Sequence, residues 1–302
     1  MPWQPLPYEA WRASRDTLHA HTQVLGKVAL ALAPPEPQLQ HGALRLTARG
    51  WETSPLPTLD GSGRIGLTID LRKHQVVVDH CDGRSSRVAL TPNRSVAAVT
   101  SDVLDAVRAL AGEVEISIVP QETPWSTPLD EDTEHATYDV DQVARYFDVA
   151  SRAASILVEF RAPYRGRSTP VNAWWGSFDL AVSLFSGAPA APPSNDFIMR
   201  NSMDAQEIAV GWWPGDTRYP NAAFYAYVHP PQEELVEIDL PVGGWDVALR
   251  EFVLDWDDVI ASGDPHQTAL DFCRTVARNA CQICGWDPIL AGTVDGVPPP
   301  VR

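Results

Sequence analysis

The segment Leu30-Ala31-Leu32-Ala33-Pro34 decides how the fold is interpreted, because it ends a long helix and precedes a set of strands. Residues 9–32 carry apolar side chains at helical spacing, and the proline that follows them prevents the helix from continuing. A second junction, Phe160-Arg161-Ala162-Pro163, ends another helical pattern over residues 140–161. The two junctions predict two copies of one arrangement.

Short elements are predicted after each junction. After the first, apolar patterns indicate strands at Ala43–Ala48, Ile65–Leu71, Gln75–Val78, Val88–Leu90 and Val114–Val119, with a turn at Asp82-Gly83 and a helix capped by Ser95. After the second, they indicate strands near 174–185, 207–213, 222–228 and 247–254 and a helix from about Pro265 to Gly285. The sequence therefore predicts an α+β chain of two tandem pseudo-repeats, each with a long helix, a roughly four-stranded antiparallel sheet and a second helix.

The predicted domains are residues 1–120 and residues 139–302, joined by an acidic linker over residues 121–138. Internal duplication explains the repeated order of elements, and a chance recurrence of α+β elements is the alternative. Each antiparallel sheet has one face to cover, so the two repeats would meet at an interface, where clefts form readily.

The charge of the chain argues against nucleic acid and membrane partners. Its 302 residues carry a net charge of −16, from 39 acidic and 23 basic side chains, and such a field repels phosphate backbones. No run approaches the ~18 apolar residues of a membrane span, and the N-terminus lacks the layout of a signal peptide. Four cysteines are too few for a disulfide framework in a chain of this length. We therefore expect a cytoplasmic protein.

Several motifs, spread in order over nearly the whole chain, resemble one bacterial family. The strongest is Trp175-Gly176-Ser177-Phe178-Asp179-Leu180-Ala181, and others are Thr17-Leu18-His19, Thr47-Ala48-Arg49-Gly50, Trp213-Pro214-Gly215 and Ala223-Phe224-Tyr225-Ala226-Tyr227. Together they resemble the uncharacterised family catalogued as domain of unknown function 5996. The resemblance implies an architecture more than a chemistry.

Three positions depart from the pattern that the resemblance implies. Where the family pattern has histidines, this chain has Gln38, Asn172 and Gln206. An imidazole binds transition metals and carries a proton near neutral pH, whereas an amide does not titrate but donates and accepts hydrogen bonds. We therefore expect a site that recognises polar groups and uses no metal and no cofactor. Drift of a surface that is no longer used is the alternative.

The candidates for acid–base catalysis are His135, Asp179 and Glu207. His135 follows a run of carboxylates in the linker, which suits a general acid, and a loop or capping histidine is the alternative. Asp179 lies on an otherwise apolar strand, so it is a catalytic base or a structural partner of Arg161 or Arg49. Glu207 is retained from the family pattern.

The first helix carries a polar stripe that predicts a binding surface. His19, Gln23 and Lys27 follow i, i+4, i+8 spacing and therefore share one helix face. Such a stripe in a cleft would bind a carboxylate or phosphate through the lysine, and a solvated helix face explains it equally well.

Two classes of function remain open from the sequence. The first is a small-molecule enzyme with a cofactor-free acid–base site in an aromatic cleft between the two repeats. The alternative is a non-catalytic ligand-binding or assembly protein that uses the same cleft. Aromatic density of this kind lines pockets and also fills cores. The residues predicted to line the cleft are Trp175, Trp213 and Tyr225.

Overall fold

The computed structural model describes residues 3–293 and shows a mixed α+β protein with two antiparallel sheets. The helices are α1 (Tyr8–Leu32), α2 (Val96–Ala111), α3 (Val140–Arg161), α4 (Phe197–Ser202), α5 (Trp256–Ala261), α6 (Pro265–Ile283) and α7 (Pro288–Thr293). The strands are β1 (Arg45–Leu46), β2 (Gly50–Glu52), β3 (Leu56–Pro57), β4 (Arg64–Asp70), β5 (Gln75–His80), β6 (Ser85–Ala89), β7 (Asn172–Trp174), β8 (Asp179–Pro189), β9 (Ala205–Trp213), β10 (Ala223–His229), β11 (Gly244–Asp246) and β12 (Glu251–Asp255).

Contacts divide the chain into two units that interleave in sequence. The described part of unit 1 comprises residues 3–6, 149–171 and 180–293, and unit 2 comprises residues 7–148 and 172–179. The chain changes unit four times: before α1, within α3, before β7 and at the start of β8. The predicted boundaries at the acidic linker and the tandem repeats stay predictions.

The sheet of unit 2 has the strand order β1-β2-β4-β5-β6, with β3 paired to β4. Alternate residues Ile65, Leu67 and Ile69 of β4 are buried on one face. Thr68 and Asp70 are buried on the other, so the second half of the strand is covered on both faces. The hairpin between β5 and β6 turns at Gly83, whose φ of 96° suits a residue without Cβ. This turn was predicted from the sequence and is confirmed.

Unit 1 contains strands in the order β11-β12-β10-β9-β8. One face of this sheet is apolar and includes Ile208, Val210 and Trp212 of β9, all fully buried. The ring of Trp256 lies 6.1 Å from that of Trp212 and 6.2 Å from that of Phe224 on the same face. The opposite face carries the polar and aromatic residues of the site described below.

The predicted helices are confirmed, with boundaries that follow from local chemistry. Helix α1 ends at Leu32 because two prolines follow, and α2 begins where the Ser95 hydroxyl accepts a hydrogen bond from the Ala98 N–H at 3.2 Å. The predicted second helix coincides with α3, and the predicted last helix with α6. No helix between residues 3 and 293 is long and apolar enough to cross a bilayer.

Three predicted strands differ from the structure. The strand predicted near 247–254 begins only at Glu251, because residues 247–250 form a turn. The strand predicted at Val114–Val119 is wrong: its side chains alternate between half-buried and exposed, but the segment joins neither sheet in the described part of the chain. The strand predicted near 174–185 is interrupted by a turn between Trp174 and Asp179. Phe178 lies in this turn with a φ of 60°, which a continuous strand does not permit.

Candidate functional site

The polar stripe on α1 binds backbone carbonyls. Nζ of Lys27 donates to the carbonyl of Val119 at 2.8 Å. Nε2 of Gln23 donates to the carbonyl of Gln121 at 2.8 Å, and its Oε1 accepts from the Gln121 N–H at 3.1 Å. Burial lowers the pKa of Lys27 from 10.5 to about 8. These side chains fasten the segment after α2 to α1, which is a structural use of the predicted binding stripe.

His19 continues the stripe and holds the turn after β7. Its Nε2 lies 3.0 Å from the carbonyl oxygen of Trp175 and 2.8 Å from that of Gly176. Since carbonyl oxygens only accept hydrogen bonds, we place the imidazole proton on Nε2. The imidazole also stacks on Phe178, with ring centroids 5.0 Å apart. His19 therefore acts as a donor to the backbone in this structure.

Phe178 lies at the centre of an aromatic cluster in unit 2. Its ring is 5.2 Å from that of Trp51 and 5.3 Å from that of Tyr146, in stacked arrangements. The guanidinium of Arg15, only 3% exposed, lies 5.4 Å above the same ring. Trp175, the predicted cleft residue of this unit, is buried and donates from Nε1 to the carbonyl of Gly42 at 3.0 Å. The motif at residues 175–181 therefore contributes core residues to unit 2.

The predicted amides lie in both units. Asn172 in unit 2 is buried, accepts a hydrogen bond from Arg45 and donates from Nδ2 to Oε1 of Gln40 at 3.0 Å. Gln38, in the same unit, is buried with a φ of 54°. Gln206 belongs to unit 1 and accepts a hydrogen bond from a serine hydroxyl at 2.9 Å. No group of three potential ligands among His, Cys, Asp and Glu is placed to hold a metal ion within residues 3–293.

Asp179 is buried at the start of β8, in unit 2. The hydroxyl of Ser177 donates a hydrogen bond to its carboxylate. The arginines proposed as its partners contact other groups: Arg49 pairs with Asp70 at 3.3 Å, and Arg161 donates to a serine hydroxyl at 3.1 Å. Asp179 is therefore a buried carboxylate that accepts a hydrogen bond from a hydroxyl group.

Glu207 lies on the polar face of the unit 1 sheet and is 3% exposed. Burial raises its pKa from 4.5 to about 7, although hydrogen bonds from Ser183 and Tyr227 act in the opposite direction. The register places His229 directly opposite Glu207, so their side chains share this face. A carboxyl group with a pKa near neutrality can both release and accept a proton.

Trp213 and Tyr225 lie on the same face of this sheet, as their register shows. Their ring centroids are 5.1 Å apart. The ring of Tyr225 covers Gly211, where a Cβ would lie 2.4 Å from Cζ of the tyrosine. Glu207 and these two aromatic residues, all predicted from the sequence, therefore share one face of one sheet.

His135 forms an acid–base pair with Asp132 in unit 2. Nδ1 of the imidazole lies 2.8 Å from Oδ2 of the carboxylate, which is fully buried. The other carboxylate oxygen, Oδ1, accepts the backbone N–H of Glu134 at 3.1 Å and that of His135 at 3.0 Å. The ring of Trp125 lies 4.6 Å from the imidazole, and its indole nitrogen is buried without a hydrogen-bond partner among the described residues. These contacts fix the orientation of the imidazole.

This imidazole lines a pocket of about 380 Å³ at the first turns of α1. Three carboxylates and one guanidinium also line it, so its charge is predominantly negative. The sequence did not single out Glu9, Arg12 and Asp16 as site residues, although their spacing places all three on one face of α1. The charged lining residues other than His135 are Glu9, Arg12, Asp16 and Glu134.

Fold and site together define a mixed α+β protein with an imidazole–carboxylate pair in one unit and a buried carboxyl group on the sheet of the other. The chain belongs to a family of unknown function, DUF5996, whose model matches residues 3–291. This confirms the resemblance that the sequence motifs indicated. No curated protein and no solved structure matches the chain.

Proposed function

We propose that this protein is an enzyme that converts a small molecule by general acid–base catalysis, with His135 as the proton-transfer group. The observation that carries the proposal is the 2.8 Å contact between Nδ1 of His135 and the buried carboxylate of Asp132. A carboxylate at Nδ1 favours the tautomer with the proton on that nitrogen, which leaves the lone pair of Nε2 free to accept a proton.

The pocket supplies the second requirement of such an enzyme, a place for the substrate. Its volume of about 380 Å³ lies near the lower end of the ~300–1,000 Å³ range of small-molecule sites, and the pocket is largely open to solvent, so a substrate would bind in it with one side exposed. Arg12 can pair with a substrate anion, and the hydroxyl-bearing Thr137 lies in the same lining. The proposal therefore places the reaction in unit 2, with no metal and no cofactor.

Glu207 is the second candidate for acid–base catalysis, because its pKa of about 7 keeps it partly protonated at neutral pH. It shares a sheet face with Trp213 and Tyr225, which would bind an apolar part of a ligand. Asp179 is proposed only as a supporting polar group, since a serine hydroxyl already occupies its carboxylate.

Conversion of metabolites tests the proposal directly. The purified full chain is incubated with a mixture of small cellular metabolites, and their loss is followed by mass spectrometry. We expect the wild type to consume at least one compound, and His135→Gln to do so about a hundredfold more slowly, the usual contribution of a general acid or base. Asp132→Asn should show a smaller loss, because it only misorients the imidazole.

One control variant and one variant of the second candidate make the outcome decisive. His266→Gln changes a half-exposed histidine of unit 1 and should retain the wild-type rate. Glu207→Gln should also retain it, unless the reaction occurs on the unit 1 sheet. Equal rates for wild type and His135→Gln would contradict the proposed role of His135. Binding of a compound without turnover would instead favour the non-catalytic ligand-binding or assembly protein.

We further propose that the fold arose by internal duplication and that the protein acts in the cytoplasm. The long helices α1 and α3 each precede strands of an antiparallel sheet, which supports two tandem repeats. The four cysteines are all free thiols, as is usual in a reducing compartment.

A further inference from the structure

The end of the β5–β6 hairpin brings a thiol, an imidazole and a carboxylate together. His80 is the last residue of β5, and Cys81 and Asp82 begin the turn that follows. Cys81 is an exposed free thiol, whereas the side chain of His80 is 1% exposed. Within the described part of the chain, Nε2 of His80 is buried and has no hydrogen-bond partner. An imidazole nitrogen without a partner at such a position requires an explanation.

Nε2 of His80 lies next to Gly63. A Cβ at residue 63 would be 2.5 Å from Sγ of Cys81 and 3.1 Å from Nε2 of His80. The thiol sulfur and the imidazole nitrogen therefore both lie against the same small space, which is open because residue 63 has no side chain, and no hydrogen bond joins them in this structure. The backbone of Gly63 does not have a positive φ, so its conformation does not require glycine. The role of glycine at this position is therefore to leave space for the two side chains.

The opposite side of the imidazole is held by Asp82. Nδ1 of His80 lies 2.8 Å from Oδ1 of Asp82 and 3.2 Å from the Asp82 backbone N–H. These two contacts require opposite protonation of Nδ1, and we assign the proton to Nδ1 because the carboxylate contact is shorter and charge-assisted. The second carboxylate oxygen accepts from Nε of Arg84 at 2.8 Å, which keeps the carboxylate ionised and in place.

We propose that Cys81 is a reactive thiol that forms mixed disulfides with low-molecular-weight disulfides, with His80 as its base. The Cys81 side chain rotates into the space beside Gly63, where Nε2 of His80 removes the thiol proton, and the thiolate attacks one sulfur of the small disulfide. A new bond forms between Sγ and that sulfur, the original S–S bond breaks, and the released thiolate takes the proton from His80. The backbone N–H of Arg64, 3.3 Å from Sγ, stabilises the negative sulfur.

The other cysteines provide an internal comparison. Cys273 and Cys281 are buried on α6, and burial raises the pKa of Cys281 from 9.0 to about 12. Cys284 is partly buried, and burial also raises its pKa. Thiols in such surroundings are poor nucleophiles. Cys81 is therefore expected to react before the other three.

Treatment of the full chain with oxidised glutathione at pH 7 tests the proposal. Intact-mass and peptide analysis follow the rate at which each cysteine gains the glutathione mass. We expect Cys81 to react first, and His80→Gln to slow it at least tenfold, a conservative value for the loss of a general base. Asp82→Asn, at a half-exposed side chain, should slow it as well and keeps the test valid if His80→Gln does not fold.

Gly63→Ala tests the geometry separately, because its methyl group would fill the space between Sγ and Nε2 and should also slow the reaction. Asp105→Asn is a matched control on the exposed face of α2 and should react like the wild type. Equal rates for the wild type, Asp82→Asn and Gly63→Ala would overturn the proposal. Reaction of Cys81 no faster than that of Cys284 would do the same.

Discussion

Replacement of Gly26 by alanine is the most demanding test of the unit 2 core. Gly26 lies in α1, and a Cβ at this position would be 2.0 Å from Cδ1, 2.1 Å from Nε1 and 2.2 Å from Cγ of Trp175. Carbon atoms in contact lie ~3.5–4.0 Å apart, so the indole or the helix would have to move by about 1.5 Å. The indole cannot easily rotate away, because its Nε1 donates to the carbonyl of Gly42 at 3.0 Å.

The expected loss of stability follows from three opposing contributions. Overpacking costs ~1–3 kcal/mol, and loss of the indole hydrogen bond costs ~1 kcal/mol. Alanine in place of glycine stabilises a helix by ~1 kcal/mol. We therefore expect Gly26→Ala to lower the free energy of unfolding by about 2 kcal/mol, which corresponds to a decrease of roughly 3 °C in the thermal midpoint of a chain of this length.

Differential scanning calorimetry of the purified full chain measures this change. Gly66→Ala is the matched control, because Gly66 lies in β4 of the same unit and a Cβ there would meet nothing within 4 Å. It should unfold at or slightly above the wild-type midpoint. A Gly26→Ala variant as stable as the wild type would show that Trp175 does not lie against α1.

Three further predictions concern titration and capping. The pKa of Glu207 is raised from 4.5 to about 7, so between these two pH values the Glu207 carboxyl group is ionised only in the unfolded chain. The free energy of unfolding of the wild type should therefore fall by about 3 kcal/mol as the pH rises from 4.5 to 7. Urea unfolding of Glu207→Gln at pH 4 and pH 7.5 should lack this loss. Burial lowers the pKa of His21 from 6.5 to about 3, so between these two pH values the His21 imidazole is protonated only in the unfolded chain. The free energy of unfolding should therefore fall by about 1.4 kcal/mol per pH unit as the pH decreases through this range. His21→Asn should flatten this slope, whereas the half-exposed control His266→Asn should not. Ser95→Ala should cost about 1 kcal/mol in the same assay, because the first turn of α2 loses its cap, and an unchanged midpoint would contradict that role.

Local patterns predicted the regular elements well. The helices α1, α2, α3 and α6 were predicted because apolar spacing, a serine cap and flanking prolines act within a few residues. The strand predicted at Val114–Val119 failed, because alternation shows which side chains are buried but not whether a neighbouring strand is present to pair with. The prediction of one continuous strand through Phe178 failed for another reason. The surrounding aromatic rings hold Phe178 in a left-handed backbone conformation that local preference disfavours.

The site was less predictable than the fold. The sequence correctly grouped His19, Gln23 and Lys27 on one helix face, but their partners are carbonyls distant in sequence, which no spacing rule reveals. For His135 the acidic neighbours were visible, yet only the structure selects Asp132 as the one that contacts the imidazole. Two backbone hydrogen bonds hold the loop that carries both residues at the start of α2: the Val96 N–H donates to the carbonyl of His135, and the Ala97 N–H donates to that of Asp132.

The buried amine of Lys27 also gives the protein a built-in reporter of its own opening. Lys27 and Lys73 are the only lysines in the chain, and Lys27 is 4% exposed with its amine on the carbonyl of Val119. An amine-directed acylating reagent should therefore label Lys73 quickly. It should reach Lys27 only when the segment after α2 detaches from α1. The ratio of the two labelling rates would give the free energy of that local opening without any engineered probe.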